Sequence, residues 1–196
     1  MEQTAKIRLE NGGLYVGPLK NGQAHGIGTV TFPSGIRYEG EVCFGVIQGH
    51  GILLFPDGAR YEGGFANDMR SGQGTFSAPN GMTYEGPYDR DNPHGFGVMV
   101  YPDGAKYEGW FRNGKKQGRG KFLNTDGICY EGMFDADVPN GKGTLLWPDG
   151  CRYEGDFQNN QIHGKGVKYY ANGRKDDGEW ENGKFVKKGF FGRKKR

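Results

Sequence analysis

Long apolar runs, paired cysteines and metal-ligand spacings are all missing from this chain of 196 residues. No stretch of about 18 consecutive apolar residues exists, which excludes a membrane-spanning helix. The opening Met1-Glu2-Gln3-Thr4-Ala5-Lys6 forms no apolar leader. Cys43, Cys129 and Cys151 are the only cysteines and fit no disulfide or metal spacing. An odd count without a leader points to a reducing compartment, so a cytoplasmic location is expected. Hydrophobic residues make up only 34% of the chain while aromatics reach 14%, so rings must supply much of the buried surface.

Enzymatic machinery is missing too. His25, His94 and His163 recur 69 residues apart in one slot of a repeating pattern. At about 4.8 Å per strand they would lie about 29 Å apart, too far to share a zinc ion. Gly109–Lys115 and Gly141-Lys142-Gly143 imitate fragments of a phosphate loop. Neither has the following Ser/Thr, and neither opens a helix. The recurring glutamates sit at open positions, without an apolar pocket to tune a carboxyl group. The expectation is a protein with no enzymatic activity, cofactor or metal. Nucleic acid is not expected as a partner either. The formal charge of +3 comes from residues 184–196, which hold seven basic residues and no acid; the remainder carries −4.

What is present is a 23-residue period. The tyrosine of Tyr107-Glu108-Gly109-Trp110-Phe111 returns as Tyr15, Tyr38, Tyr61, Tyr84, Tyr130 and Tyr153, with Asp176 at the next step. Four glycine slots hold 31 of the 38 glycines. With the tyrosine as position 1, these are positions 3, 12, 14 and 21. A period this strict defines a repeat array.

Alternation makes Arg60–Phe65 a strand with Tyr61, Gly63 and Phe65 on one face, and Gly49–Phe55 a second strand. Asn113-Gly114 at positions 7–8 suits a two-residue hairpin, and Pro56-Asp57-Gly58 at positions 19–21 a three-residue loop. One even and one odd connection return the tyrosine to the same face every 23 residues. These loops predict position 1 opposite position 14 of its own repeat and position 16 of the repeat before. They set Tyr61 against Gly74 and Leu53, Phe65 against Gly49, and Tyr84 against Gly97. Position 2 then meets position 13, as Glu108–Arg119, Glu131–Lys142 and Glu154–Lys165. The glycines of positions 12 and 14 are read as clearing space for rings.

The pattern Tyr-Glu-Gly-x-Phe/Trp, Asn-Gly, Gly-x-Gly, Asp-Gly resembles the MORN repeat over nearly all of residues 7–191. The fold expected is all-β: an elongated single antiparallel twisted sheet of tandem β-hairpins, curled into a trough. The array occupies residues 1–183, with an N-terminal half-repeat at 4–12 and a basic, aromatic cap and tail at 184–196. A rigid concave surface lined with tyrosine and phenylalanine suits a peptide or helix lying along the trough, so a scaffold or adaptor that binds protein partners is expected. The resemblance implies its setting: the cytoskeleton, cilium, flagellum or axoneme. A homodimer is left open.

Three candidate surfaces follow. Phe32, Phe55, Tyr101, Trp147 and Tyr170 at position 18 share the ring face, have no glycine opposite, and are expected at the trough rim. Ile52, Leu54, Val98, Val100, Leu123 and Leu146 form an exposed apolar strip on the other face. Lys187, Lys188, Arg193, Lys194, Lys195 and Arg196 surround Phe190 and Phe191. They suit an acidic phospholipid surface at about 1 kcal/mol per basic residue, the alternative reading of function. A nuclear import signal and a solubilising end also fit them.

Overall fold

The computed structural model of the protein describes residues 4–188. Strands joined by tight turns account for these residues, with no helix among them. The chain divides into two compact units, residues 1–102 and 103–196. In the N-terminal unit the strands are Ala5–Arg8, Leu14–Gly17, Gly26–Thr31, Arg37–Cys43, Val46–Leu54, Arg60–Ala66, Met69–Ser77, Thr83–Asp89 and Gly95–Val100, with short pieces at Leu19–Lys20, Gln23–Ala24 and Asn92–Pro93. In the C-terminal unit they are Lys106–Arg112, Lys115–Leu123, Cys129–Asp135, Val138–Leu146, Arg152–Gln158, Gln161–Tyr169, Lys175–Glu181 and Lys184–Lys188. Within each unit successive strands pair antiparallel. The all-β tandem-hairpin architecture is thus the one expected from the period.

Both turns form as their residues dictate. Asn67 and Asp68 hold φ of 52° and 64°, Asn113 and Gly114 hold 50° and 77°, and the ladder resumes at Ala66↔Met69 and Arg112↔Lys115. Across the three-residue loop, the Phe55 N–H donates to Ala59 O at 2.9 Å, and Gly58 takes φ of 88°.

Inside the hairpin the expected register is wrong by two. Tyr61 stands opposite Phe76, not Gly74, and Tyr84 opposite Met99, not Gly97. On the other face Glu108 meets Lys121, Glu131 meets Thr144 and Glu154 meets Val167, which replaces all three proposed charge pairs. The cause is a bulge: Phe65↔Arg70 and Gly63↔Gly74 are both paired, so Gly64 alone spans Ser71, Gly72 and Gln73. Position 12 is a glycine for this reason. Gly72 holds φ of 76° with open space where a side chain would be, so its role is a left-handed backbone and not ring clearance.

Glycines 3 and 14 do make room for rings, diagonally. Gly63 and Gly74 face one another, and a Cβ added to Gly63 would lie 2.5 Å from Gly74 Cα. The same facing continues through Gly109, Gly120, Gly132, Gly143, Gly155, Gly166 and Gly178 in the C-terminal unit. Each tyrosine ring lies over two such glycines and its hydroxyl donates to the main-chain carbonyl three residues on. Tyr61 reaches Gly64 O at 3.0 Å and Tyr130 reaches Met133 O at 2.8 Å. That carbonyl belongs to the residue the bulge isolates, so the hydroxyl supplies the bond a phenylalanine would leave unmade.

Between tyrosines sit the rings of position 5. Phe65 meets Tyr38 and Tyr61 edge-to-face at 4.9 and 5.3 Å; Phe134 meets Tyr107 and Tyr130 at 5.1 Å each. Each contact adds about 0.5–1.5 kcal/mol beyond area burial. A single-layered sheet thereby buries its tyrosines completely: Tyr15, Tyr38, Tyr61, Tyr107 and Tyr153 are 0% exposed.

Candidate ring-face groove

With positions 1, 3, 5 and 14 consumed in packing, the ring face is completed by positions 10, 16, 18 and 22. In the C-terminal unit Phe122 and Leu145 at position 16 stand opposite Tyr130 and Tyr153 and remain half-buried. Together with Ile128, Val138, Pro139 and Lys116 they line a groove of about 380 Å³.

Lys116 is the unusual member. Position 10 is apolar or proline in most repeats (Ala24, Ile47, Pro93, Pro139, Ile162) and cationic only at Arg70 and Lys116. The Lys116 Nζ lies 5.1–5.8 Å from the ring centroids of Tyr107, Phe122 and Phe134. Burial pushes its pKa below the usual lysine value, partly opposed by the nearby Asp137 carboxylate. Its main-chain N–H donates to Asp137 Oδ1 at 2.9 Å.

The position-18 residues Phe32, Phe55, Tyr101, Trp147 and Tyr170 are each half-buried at the base of a three-residue loop. Main-chain bonds such as Trp147 N–H to Cys151 O (3.0 Å) and Tyr170 N–H to Arg174 O (2.9 Å) fix their backbone. Beside Trp147 and Tyr170 the last full repeat changes character. Lys168 takes the apolar position 16, its Nζ 4.6 Å from the Trp147 ring and 5.1 Å from that of Tyr170. Asp176 replaces the tyrosine and accepts the Tyr170 hydroxyl at 2.7 Å, which pushes the Tyr170 pKa up.

The opposite face is less exposed than expected. Ile52, Leu54, Val98 and Val100 are half-buried, and only Leu123 and Leu146 of that strip are open. Exposed residues missed on this face include Ile27 (77% exposed) and Phe96 at position 13, Trp110 (53%) and Met133 at position 4, and Val16 at position 2. A second groove of about 470 Å³ runs here past Arg119, Glu131, Met133, Lys142 and Leu146. Its charges pair across strands, Arg119 with the diagonal Glu131 at 2.9 Å and Lys142 with the directly opposite Asp156 at 2.6 Å.

Among the basic residues near the C-terminus, Lys187 pairs with Glu179 at 3.3 Å, and Lys188 belongs to the strand Lys184–Lys188. Arg193, Lys194, Lys195 and Arg196, with Phe190 and Phe191, lie outside the described residues. Among the described residues no group of three or more His, Cys, Asp or Glu is placed to hold a metal.

An array of bulged hairpins, each carrying a tyrosine over a glycine pair, defines a β-repeat protein whose non-core surface is set by a few variable slots. The MORN repeat profile matches residues 15–37, 38–60, 61–83, 84–106, 107–129, 130–152, 153–173 and 177–186, and the chain belongs to the MORN-repeat family. No curated protein matches it. Among solved structures it is similar to the TCP domain of SAS-4 (dCPAP) of Drosophila melanogaster, bound to a proline-rich motif of Ana2 (dSTIL), at 13% identity and a TM-score of 0.45, covering 88% of this chain and 87% of that one. The G-box domain of the microcephaly protein CPAP matches at 15% identity and a TM-score of 0.47, over 89% and 97%. The TCP10 domain of Danio rerio CPAP with a STIL peptide matches at 16% and 0.27, over 89% and 84%. Scores below 0.5 carry no functional argument.

Proposed function

We propose that the protein is a non-enzymatic scaffold that holds a segment of a protein partner on its ring face, in a cytoplasmic, cytoskeletal or axonemal setting. The observation that carries this reading is the half-buried surface made by Phe122, Leu145, Trp147 and Tyr170 beside the groove. Aromatic side chains fixed on a rigid sheet and partly open to solvent are the usual anchors of an interface. Membership of a repeat family supports it, because repeat arrays present extended surfaces whose variable slots select partners.

The test is affinity capture by the full chain, compared with a Tyr101→Ala/Trp147→Ala variant and a Leu146→Asp variant. The ring-face variant is expected to keep its thermal midpoint within a few degrees and weaken partner binding at least tenfold, about 1.4 kcal/mol. Leu146→Asp should bind as the parent does. Loss of binding with Leu146→Asp alone would move the working surface to the opposite face.

A further inference from the structure

We propose that the outer edge of the strand Ala5–Arg8 binds an acidic peptide in extended form, which joins the sheet as one more antiparallel strand. Carboxylates on alternate residues of the peptide meet Lys6 and Arg8, and the next apolar side chain on that face enters a groove beside Thr4. This site is separate from the ring face and goes beyond the reading above.

The edge is open and held in shape. Ala5–Arg8 pairs with Leu14–Gly17 on one side and, among the described residues, with no strand on the other. The Leu9 N–H donates to Gly13 O at 2.8 Å, and ladder alternation then turns the main-chain groups of Ile7 and Ala5 toward Leu14–Gly17. Those of Lys6 and Arg8 point the other way, where an added strand can pair with them. An edge strand frays unless it is tied down. Here Leu9 is 7% exposed, and Asn11 Nδ2 donates to Asp68 Oδ1 at 3.0 Å, which fastens the hairpin to the third repeat.

Charge names the occupant. Position 2 is an acid in every later repeat, and it meets the cation two residues before it, as Arg37–Glu39 at 2.7 Å and Arg60–Glu62 at 2.6 Å. The first repeat has Val16 there, directly opposite Lys6. Lys6 and Arg8 are both exposed and, among the described residues, have no carboxylate partner; Arg8 Nη1 donates to Gly12 O at 3.3 Å. Glu10, the one acid in residues 4–31, lies beyond the strand in the loop. A strand with acids at i and i+2 supplies what Val16 withholds. An antiparallel second copy would instead set Lys6 against the other copy's Lys6 or Arg8, like charges face to face. An acidic lipid surface presents no main-chain ladder to the edge. Past Thr4 the outer face opens into a groove of about 500 Å³ lined by Pro18, Leu19, Lys20, His25 and Ile27, with Ile27 77% exposed. Running antiparallel, the peptide passes Arg8, then Lys6, then Thr4, and so reads acid, x, acid, x, apolar. The residues between lie on the other face, beside the half-buried Ile7 and Ala5.

The test uses the full chain and a phage-displayed random dodecapeptide library. Selected peptides are expected to carry Asp or Glu at i and i+2, with Leu, Ile, Val or Phe at i+4. The best of them, made synthetically, should lose at least tenfold in affinity on Lys6→Gln/Arg8→Gln and less than twofold on Tyr101→Ala/Trp147→Ala. In the parent chain, peptide binding should slow amide hydrogen exchange at Lys6 and Arg8 at least tenfold, a readout that needs no variant. Basic or uncharged selected peptides, affinity indifferent to Lys6→Gln/Arg8→Gln, unchanged exchange at Lys6 and Arg8, or no selected peptide at all would overturn the inference. Peptides that lose affinity on Tyr101→Ala/Trp147→Ala alone would overturn it while supporting the ring-face reading. A dimer in analytical ultracentrifugation that Lys6→Gln/Arg8→Gln abolishes would assign the edge to a second copy and overturn the peptide. Phosphatidylserine vesicles that bind the parent and not that variant, with no peptide selected, would overturn it in favour of lipid.

Discussion

Position 10 is cationic once in each unit, and the two residues do different work. In the N-terminal unit Arg70 is locked to the next turn: its Nε lies 3.1 Å from Asp91 Oδ1, its Nη2 donates to Asp91 O at 2.9 Å, and its main-chain N–H donates to the same Oδ1 at 3.0 Å. The guanidinium spreads over Tyr61 and Tyr88 at 5.5 and 5.1 Å. In the C-terminal unit Lys116 shares the backbone geometry but points its ammonium at rings that border the groove. A planar fork reaches carboxylate, carbonyl and ring together, whereas a point charge on a flexible stem does not. The same slot therefore holds a latch in one unit and a partly buried ammonium among rings in the other.

The largest effect expected on this comparison comes from the scaffold both slots share. Gly63→Val would set a side chain 2.5 Å from Gln73 O and Gly74 Cα, backbone atoms that cannot yield, and should cost about 3 kcal/mol in urea unfolding. Gly72→Ala has open space and only a left-handed backbone to oppose it, so about 1–2 kcal/mol is expected. Equal costs would mean that the spine relaxes more readily than its contacts allow.

Next come the cations themselves. Arg70→Met removes charge-assisted bonds and should destabilise by about 2 kcal/mol. Lys116→Met keeps the stem against the rings and removes a partly desolvated charge, so its stability should stay within about 1 kcal/mol of the parent. Similar losses at both sites would erase the distinction between the two slots.

A smaller loss, about 1 kcal/mol, is expected for Tyr61→Phe or Tyr130→Phe, each of which strands a carbonyl beside the bulge. Tyr170→Phe, whose hydroxyl meets the Asp176 side chain, should cost less because water can replace it.

The last effect is zero at neutral pH. Burial, with Tyr88 next for Tyr61, pushes the Tyr61 and Tyr130 phenols up to about 12. The unfolded chain titrates near 10, so it alone releases protons between pH 10 and 12. Stability should be flat below pH 10 and fall through that window. Phenolate absorbance at 295 nm should therefore rise together with loss of structure; a separate titration near pH 10 by these tyrosines would contradict their burial.

How much of this was legible in sequence follows from what a period can report. Tyr15 to Tyr153 at fixed spacing told the face, the strand order and both turns, because parity and turn chemistry are local properties of the chain. The bulge opposite Gly64 escaped because it inserts two residues, and an even insertion leaves every side chain on its original face. Glu131 opposite Lys142 satisfied the alternation as well as Glu131 opposite Thr144 does. Gly72 was assigned the wrong duty for the same reason, since a residue type does not say whether space or a left-handed backbone is needed. Lys116 did leave a signal, a lysine in a slot held by Ala24, Ile47 and Pro139, but the slot's facing was unknown until the bulge was placed. The pairing of Trp147 and Tyr170 with position 22 was legible from the three-residue turn after them.

One further feature gives the array a direction. Within each unit the position-8 N–H of a turn donates to the position-10 carbonyl of the repeat before it, as Asp68 to Ile47, Asp91 to Arg70, Asp137 to Lys116 and Asn160 to Pro139. Asp68, Asp91 and Asp137 return a carboxylate oxygen to the position-10 N–H. Within each unit these hairpins are thus sealed by their successors. Shortening the array from its C-terminal side bares the position-10 N–H and carbonyl of the new end, while shortening it from the other side bares the position-8 N–H and its carboxylate. A ribosome, which releases the N-terminal hairpin first, supplies each seal in the order the structure needs it.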